Sequence, residues 1–196
     1  MNKTVLGCAV VVGGCLLLLG LFAFGSYNSL VNLDEGVKSA WSQVENVYQR
    51  RADLVPNLVA TVKGASDFER ETLESVVNAR AKVGQVNFNG PPSAEQMQQF
   101  QSAQDGLSSA LSRLLVVVER YPELTATQGY RDLQVQLEGT ENRIAVERRN
   151  FNQAAQAYNS KRRRFPSNFV ANMAGFEERA YFAATPGAEE APKVSF

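Results

Sequence analysis

Two clusters in this sequence have the residue types and spacing to do chemistry. The first is Arg50-Arg51-Ala52-Asp53, followed closely by Pro56-Asn57. A guanidinium offers a planar fork of donors that can grip a carboxylate or phosphate at two points. A proline inside a helix frees a backbone carbonyl that such donors can reach. The second cluster is Lys161-Arg162-Arg163-Arg164. From Arg143 to Arg164 there are seven basic residues and one acid, Glu147, a local charge of +6. Such a run can contact anionic lipid headgroups at roughly 1 kcal/mol per charge. It can equally complement the negative end of a helix at roughly 0.3–1 kcal/mol per cation.

Carboxylates are the third possibility: Glu69, Glu71 and Glu74, and Glu138 with Glu141. A di-iron bundle of the ferritin type needs Glu-x-x-His on paired helices, and the chain has no histidine. These acids therefore read as solvated faces. The missing imidazole also removes the commonest general base and metal ligand. Both cysteines, Cys8 and Cys15, lie in an apolar run, so the polar part of the chain has no thiol nucleophile, Cys-ligated zinc or disulfide framework. There is no Gly-rich phosphate loop, nucleophile elbow or dinucleotide fingerprint. No cofactor and no enzymatic activity are expected. Twenty acidic residues balance twenty basic ones, so no global field draws the chain to nucleic acid.

The element that must position the first cluster is Tyr27 to Lys63. Leu30, Leu33, Val37, Ala40, Trp41, Val44, Val47, Tyr48, Leu54, Val55, Leu58 and Val62 recur every three or four positions. That spacing gives a helix with one broad apolar face, which other helices must cover. Pro56 predicts a kink rather than a stop, because the pattern continues to Val62, and Gly64 predicts the end. Arg51 occupies the heptad position otherwise held by Leu30, Val37, Val44 and Leu58. It must pair with a carboxylate of another helix, with Glu119 and Glu147 as candidates, or turn outward. Outward, Arg50, Arg51, Asp53, Pro56 and Asn57 would form a docking notch for a partner. Inward, they would be a polar network that fixes the register of the bundle, the better-attested use of such groups.

Ahead of this helix, Thr4 to Phe24 is uncharged for 21 residues, roughly 31 Å as a helix and enough for one hydrocarbon core. A single-pass membrane helix is the first expectation. A cleaved signal ranks below it, and a lipoprotein box at Val12-Gly13-Gly14-Cys15 ranks last, because Leu16 to Leu19 follow it. Lys3 lies nearer the apolar edge than Lys38, which tips the orientation toward an inside N-terminus and an exported domain.

Three further helices are predicted. Asp67 can cap the second, whose stripe is Phe68, Leu73, Val76, Ala79 and Val83. Asn87 to Pro92 breaks the chain, and Ser93 with Gln96 makes a capping box for the third. Its stripe runs from Met97 to Tyr121 and Pro122 ends it. After a loop from Glu123 to Gly129, the fourth carries Tyr130, Leu137, Ile144, Phe151 and Tyr158 every seven residues, the signature of left-handed bundle packing. Pro166 stops it, and residues 167–174 read as one further short turn. The expected fold is all-α: an antiparallel up-down-up-down four-helix bundle over 27–174, behind a membrane anchor over 1–26 and before a tail over 175–196 that docks in part through Phe176, Tyr181 and Phe182. That topology returns Lys161–Arg164 to the bilayer.

Several strings resemble the LemA family of bacterial membrane-attached helical proteins: Tyr27-Asn28-Ser29-Leu30-Val31, Ala40-Trp41-Ser42, and Arg50 through Val59 (RRADLVPNLV). The likeness continues through Glu119–Leu124, Thr140–Ala145, Ala157–Asn159, Gly175-Phe176 and Tyr181-Phe182. The resemblance implies a helical fold and membrane attachment, and leaves the molecular task open. The function expected is a non-enzymatic scaffold in the inner membrane of a bacterium, serving an envelope protein partner or self-association. The alternative is a sensory module that binds a small ligand or controls a membrane protease.

Overall fold

The structure, a computed structural model, describes residues 3–64, 69–86, 88 and 90–183, with side chains from residue 11 onward. The described residues form six helices: α1 (Lys3–Lys63), α2 (Arg70–Gly84), α3 (Ala94–Val118), α4 (Pro122–Thr125), α5 (Gln128–Arg163) and α6 (Ser167–Met173). There is no strand among them.

α1 is one helix of 61 residues, about 92 Å long at 1.5 Å per residue. It passes through Gly25, Ser26 and Pro56 without a break and gives way at Gly64. From Val11 to Phe24 its large apolar side chains are exposed to the surroundings. This is the one segment of the described residues long and apolar enough to cross a membrane. From Val11 onward, the first buried position on α1 is Ser26.

Beyond it, two heptad ladders close on each other. Leu30, Val37, Val44, Arg51 and Leu58 of α1 are at most 1% exposed, and Tyr130, Leu137, Ile144, Phe151 and Tyr158 of α5 at most 5%. The Trp41–Phe151 ring contact and the Arg51–Glu141 ion pair satisfy one antiparallel register. α2 packs against α3, and four helices share the upper core: Leu54, Leu58 and Val62 of α1, Val76 of α2, Leu107 to Val118 of α3, and Tyr130 and Leu137 of α5. α3 therefore runs in the direction of α1, and α5 runs against it.

The lower core is built differently. α2 has only 15 residues, about 22 Å, and ends at Gly84 near Trp41, at the edge of the membrane-proximal half. There Val37, Trp41, Tyr48, Phe100, Phe151 and Tyr158 are closed off by Phe176, Ala180 and Phe182 of the extended tail. Phe182 stacks on Trp41 at 6.2 Å and meets Phe151 edge-on at 5.5 Å. The chain segment after α6 thus supplies the cover that a longer second helix would have given.

The capping box predicted at Ser93 is present: its side chain accepts from the Gln96 N–H, and the Gln96 side chain accepts from the Ser93 N–H. The predicted cap at Asp67 and the stripe residue Phe68 lie outside the described residues. Two boundaries differ from expectation. α3 ends at Val118, ahead of Pro122. The stretch expected to be a loop after Pro122 contains α4, and α5 starts at Gln128, capped by the Thr127 hydroxyl accepting from the Tyr130 N–H. Proline has no N–H to lose at a first helical position and a pre-set φ, so Pro122 opens a helix as readily as it forbids one.

Candidate functional site

Arg51 is 1% exposed. Its Nη1 donates to Glu141 Oε1 of α5 at 2.7 Å and to Ser108 Oγ of α3 at 2.8 Å. Its Nη2 donates to the Gln104 backbone carbonyl at 3.2 Å and to the Gln104 side-chain oxygen. The guanidinium lies over the Tyr48 ring, 5.1 Å from its centroid. One side chain on α1 therefore ties α3 and α5 together at mid-height. Its carboxylate partner is Glu141, not Glu119 or Glu147: Glu119 is exposed, and Glu147 accepts from Asn150 one turn along its own helix. Glu141 itself is half open to solvent, which spares the pair the cost of two fully buried charges. Burial pushes the neighbouring Tyr48 phenol up from its usual range, opposed by the charges of Arg148 and Arg51.

The rest of the first cluster divides between the two sides of α1. Arg50, Asp53, Pro56 and Asn57 are exposed, and Asp53 accepts from Gln49 at 2.8 Å. Pro56 cannot donate to the Ala52 carbonyl. That carbonyl accepts instead from Nε of Arg80 on α2 at 2.9 Å. The carbonyl that the proline frees, one element of the docking-notch alternative, is thus engaged from within the molecule.

A second polar network, not anticipated, pins the tail. Arg179 reaches back to Asp34 near the base of α1, its Nη2 and Nε donating to Asp34 Oδ1 at 2.6 and 3.1 Å. Asn159 of α5 holds the Arg179 backbone on both sides, at 2.8 and 2.9 Å. The Arg179 guanidinium lies over the Tyr158 ring, and the Tyr158 hydroxyl donates to the Glu177 carbonyl at 2.8 Å. Asp34 occupies the heptad position otherwise held by Trp41, Tyr48, Val55 and Val62, and that break in the pattern is the sequence signal for this network.

The basic cluster is also divided. Arg162 turns inward, donating from Nε to the Phe176 carbonyl at 2.8 Å and facing Glu178 at 3.7 Å. Lys161 is half-buried, and Arg163 and Arg164 are exposed at the end of α5. Two of the four residues thus remain fully turned to the surroundings.

The sequence matches the family profile described as LemA family over residues 40–196, which takes in the Arg51 network, the tail and the basic cluster. The chain belongs to the LemA family. Among curated proteins it is similar to magnetosome proteins MamQ 2 and MamQ 1 of Paramagnetospirillum magneticum, each 28% identical over 83% of this chain. It is similar also to protein LemA of Metamycoplasma hominis, 26% identical over 87% of this chain and 76% of that protein. The match spans 66% of the length of the MamQ proteins. The family, the helical fold and the apolar segment of α1 together mark a membrane-associated helical protein.

In this LemA-family chain one cleft opens beside the arginine network. It holds about 220 Å³ between Trp41, Tyr48 and Ala52 of α1, Arg80 of α2, Phe88 of the connector, and Phe100 of α3. Its floor is aromatic, and Glu45, Gln49 and Arg80 stand at its rim. The Trp41 indole N–H is buried and makes no hydrogen bond of good geometry, with the Glu45 carboxyl close enough to feel it. Partial burial pushes the Glu45 carboxyl up, and the nearby indole opposes that shift.

Proposed function

We propose that this protein is a membrane-tethered, non-enzymatic scaffold of the bacterial inner membrane, its helical domain on the outer side, presenting a rigid surface to an envelope protein or to a second copy. The observation that carries this is the unbroken α1: the helix that holds the apolar segment is also the central rod of the bundle. Any tilt or clustering of the membrane segment is then transmitted stiffly to the domain. The Arg51 network holds three helices in one register, consistent with a fixed surface rather than a moving one. Photo-crosslinking from exposed positions such as Arg50, Asn57 and Val135 in native membranes, read by mass spectrometry, tests it. The expected result is one recurring protein adduct, or a dimer. Adducts to lipid alone, or substrate turnover by purified protein, would overturn it.

The cleft favours a second reading, a sensory module for a small ligand. Its aromatic floor, the buried indole N–H of Trp41 and the charged rim converge as in a binding pocket. Trp41 is the sole tryptophan, so a ligand seated there would shift its emission directly. A metabolite screen by Trp41 fluorescence separates the two: a saturable shift supports the sensor.

A further inference from the structure

The turn after α5 and the short α6 carry an apolar stripe that nothing in the domain covers. Phe165, Phe169 and Met173 are 75%, 60% and 91% exposed. Phe169 and Met173 lie four residues apart on one side of α6, and Phe165, just ahead of the helix, meets the Phe169 ring edge-on at 5.9 Å. The opposite side holds Ser167 and Ala171, both buried. That inner side packs on α1 and α5. α6 closes with its Gly175 at φ +73°, the Gly175 N–H on the Asn172 carbonyl at 3.4 Å and the Phe176 N–H on the Ala171 carbonyl at 3.0 Å. This pairing is a Schellman ending, which only a left-handed residue allows and glycine adopts freely. It delivers Phe176 onto the Tyr27 ring at 5.7 Å. α6 is thereby fixed to α1 at a known height.

That height decides the occupant. Tyr27 lies three residues beyond Phe24, the last residue of the apolar run, about 4.5 Å along the axis. The headgroup layer on each side of a bilayer is roughly 5–7 Å deep. A stripe attached at Tyr27 therefore sits inside that layer, beside the exposed Arg163 and Arg164. We propose that α6 is an interfacial foot: Phe165, Phe169 and Met173 lie in the boundary between headgroups and acyl chains of an anionic phospholipid bilayer, with Arg163 and Arg164 on the phosphates. This rests on the reading that α1 crosses the membrane. Aromatic rings at the interface and cations above them are the usual composition of such an anchor. With α1 it would give the domain two points of attachment and so fix its tilt.

The test uses the full chain reconstituted into vesicles of phosphatidylcholine with phosphatidylglycerol. Cys8→Ala and Cys15→Ala remove the native thiols, and single cysteines at Leu18, Val135, Phe169 or Met173 carry an environment-sensitive fluorophore. Nitroxide lipids labelled near the headgroup or deep in the acyl chain act as quenchers. The expected result is loss of most emission at 169 and 173 to the shallow quencher, loss at 18 to the deep one, and none at 135. Quenching at 18 with water-exposed probes at 169 and 173 overturns the foot and leaves the anchor standing. No quenching at 18 removes the anchor reading and the foot with it. Probes at 169 and 173 that are shielded from water but untouched by nitroxide lipid assign the stripe to a second copy, and overturn the foot. Equal quenching at 173 in vesicles without phosphatidylglycerol, or after Arg163→Gln with Arg164→Gln, overturns the assignment of the two arginines to anionic headgroups.

Discussion

Arg80 of α2 donates through Nε to the carbonyl of Ala52 on α1, at 2.9 Å, in the place of the N–H that Pro56 lacks. A defect in one helix is the docking point for another. The two residues should therefore be energetically coupled. Arg80→Ala is expected to cost about 1 kcal/mol, and markedly less in a Pro56→Ala background, where the helix satisfies its own carbonyl. A double-mutant cycle on thermal unfolding in detergent micelles measures the difference. Additive losses would separate Arg80 from the proline.

The Arg51 network predicts unequal losses from its members. Arg51→Ala leaves the buried Gln104 side-chain oxygen without its donor and Glu141 without its counter-charge, and should cost about 3 kcal/mol. Glu141→Gln should cost at most about 1 kcal/mol, since Glu141 is half exposed and keeps an oxygen for Arg51. Arg51→Leu combined with Gln104→Leu should regain most of the stability, as apolar replacements of buried ion pairs often do. If that double variant is as stable as the native chain yet loses its crosslinked partner, Arg51 serves recognition as well as register.

The legible parts of this fold were those with a period. The sevens in α5 and the three-and-four spacing in α1 identify which residues face inward, and Arg51 stood out because it broke the pattern. The axial offset between two helices is not contained in either helix alone, so the heptad pattern points Arg51 to Glu119 or Glu147, whereas the partner is Glu141. Arg80 sits exposed on a short helix, where its bond to α1 leaves no periodic trace. The tail has no period either: it is extended, and its grip on Asp34 and Trp41 depends on long-range geometry. Phe176, Tyr181 and Phe182 signalled docking by their type alone.

The tail supplies a third prediction. Phe182 is 5% exposed, between the rings of Trp41, Phe100 and Phe151, with the Arg148 guanidinium over its face at 4.8 Å. Phe182→Ala should cost about 3 kcal/mol. Because Trp41 is the only tryptophan, the same substitution should move its emission to the red as water reaches the indole. An unchanged spectrum would mean that the tail does not cover the lower core in solution.

Stability should also fall on the alkaline side, for a reason visible in three phenols. Tyr48, Tyr130 and Tyr158 are each pushed up from the usual tyrosine value, chiefly by burial. A group whose proton is held more tightly in the folded state contributes its full stability below its unfolded value, about 10. It loses that contribution as pH rises through the folded value, at up to about 1.4 kcal/mol per pH unit for each proton. The exposed Lys38, raised by its bonds to Glu35 and Asp34, acts in the same direction. Unfolding midpoints followed from pH 8 upward should therefore hold steady and then drop beyond about 10. Tyr48→Phe is the discriminating variant. It keeps the ring that lies under Arg51 and meets Phe100 edge-on at 4.9 Å, and removes only the ionising oxygen. Its alkaline decline should be shallower than that of the native chain, with little change at pH 8. An identical decline would assign the loss to groups other than the phenol that burial holds protonated beside the arginine network.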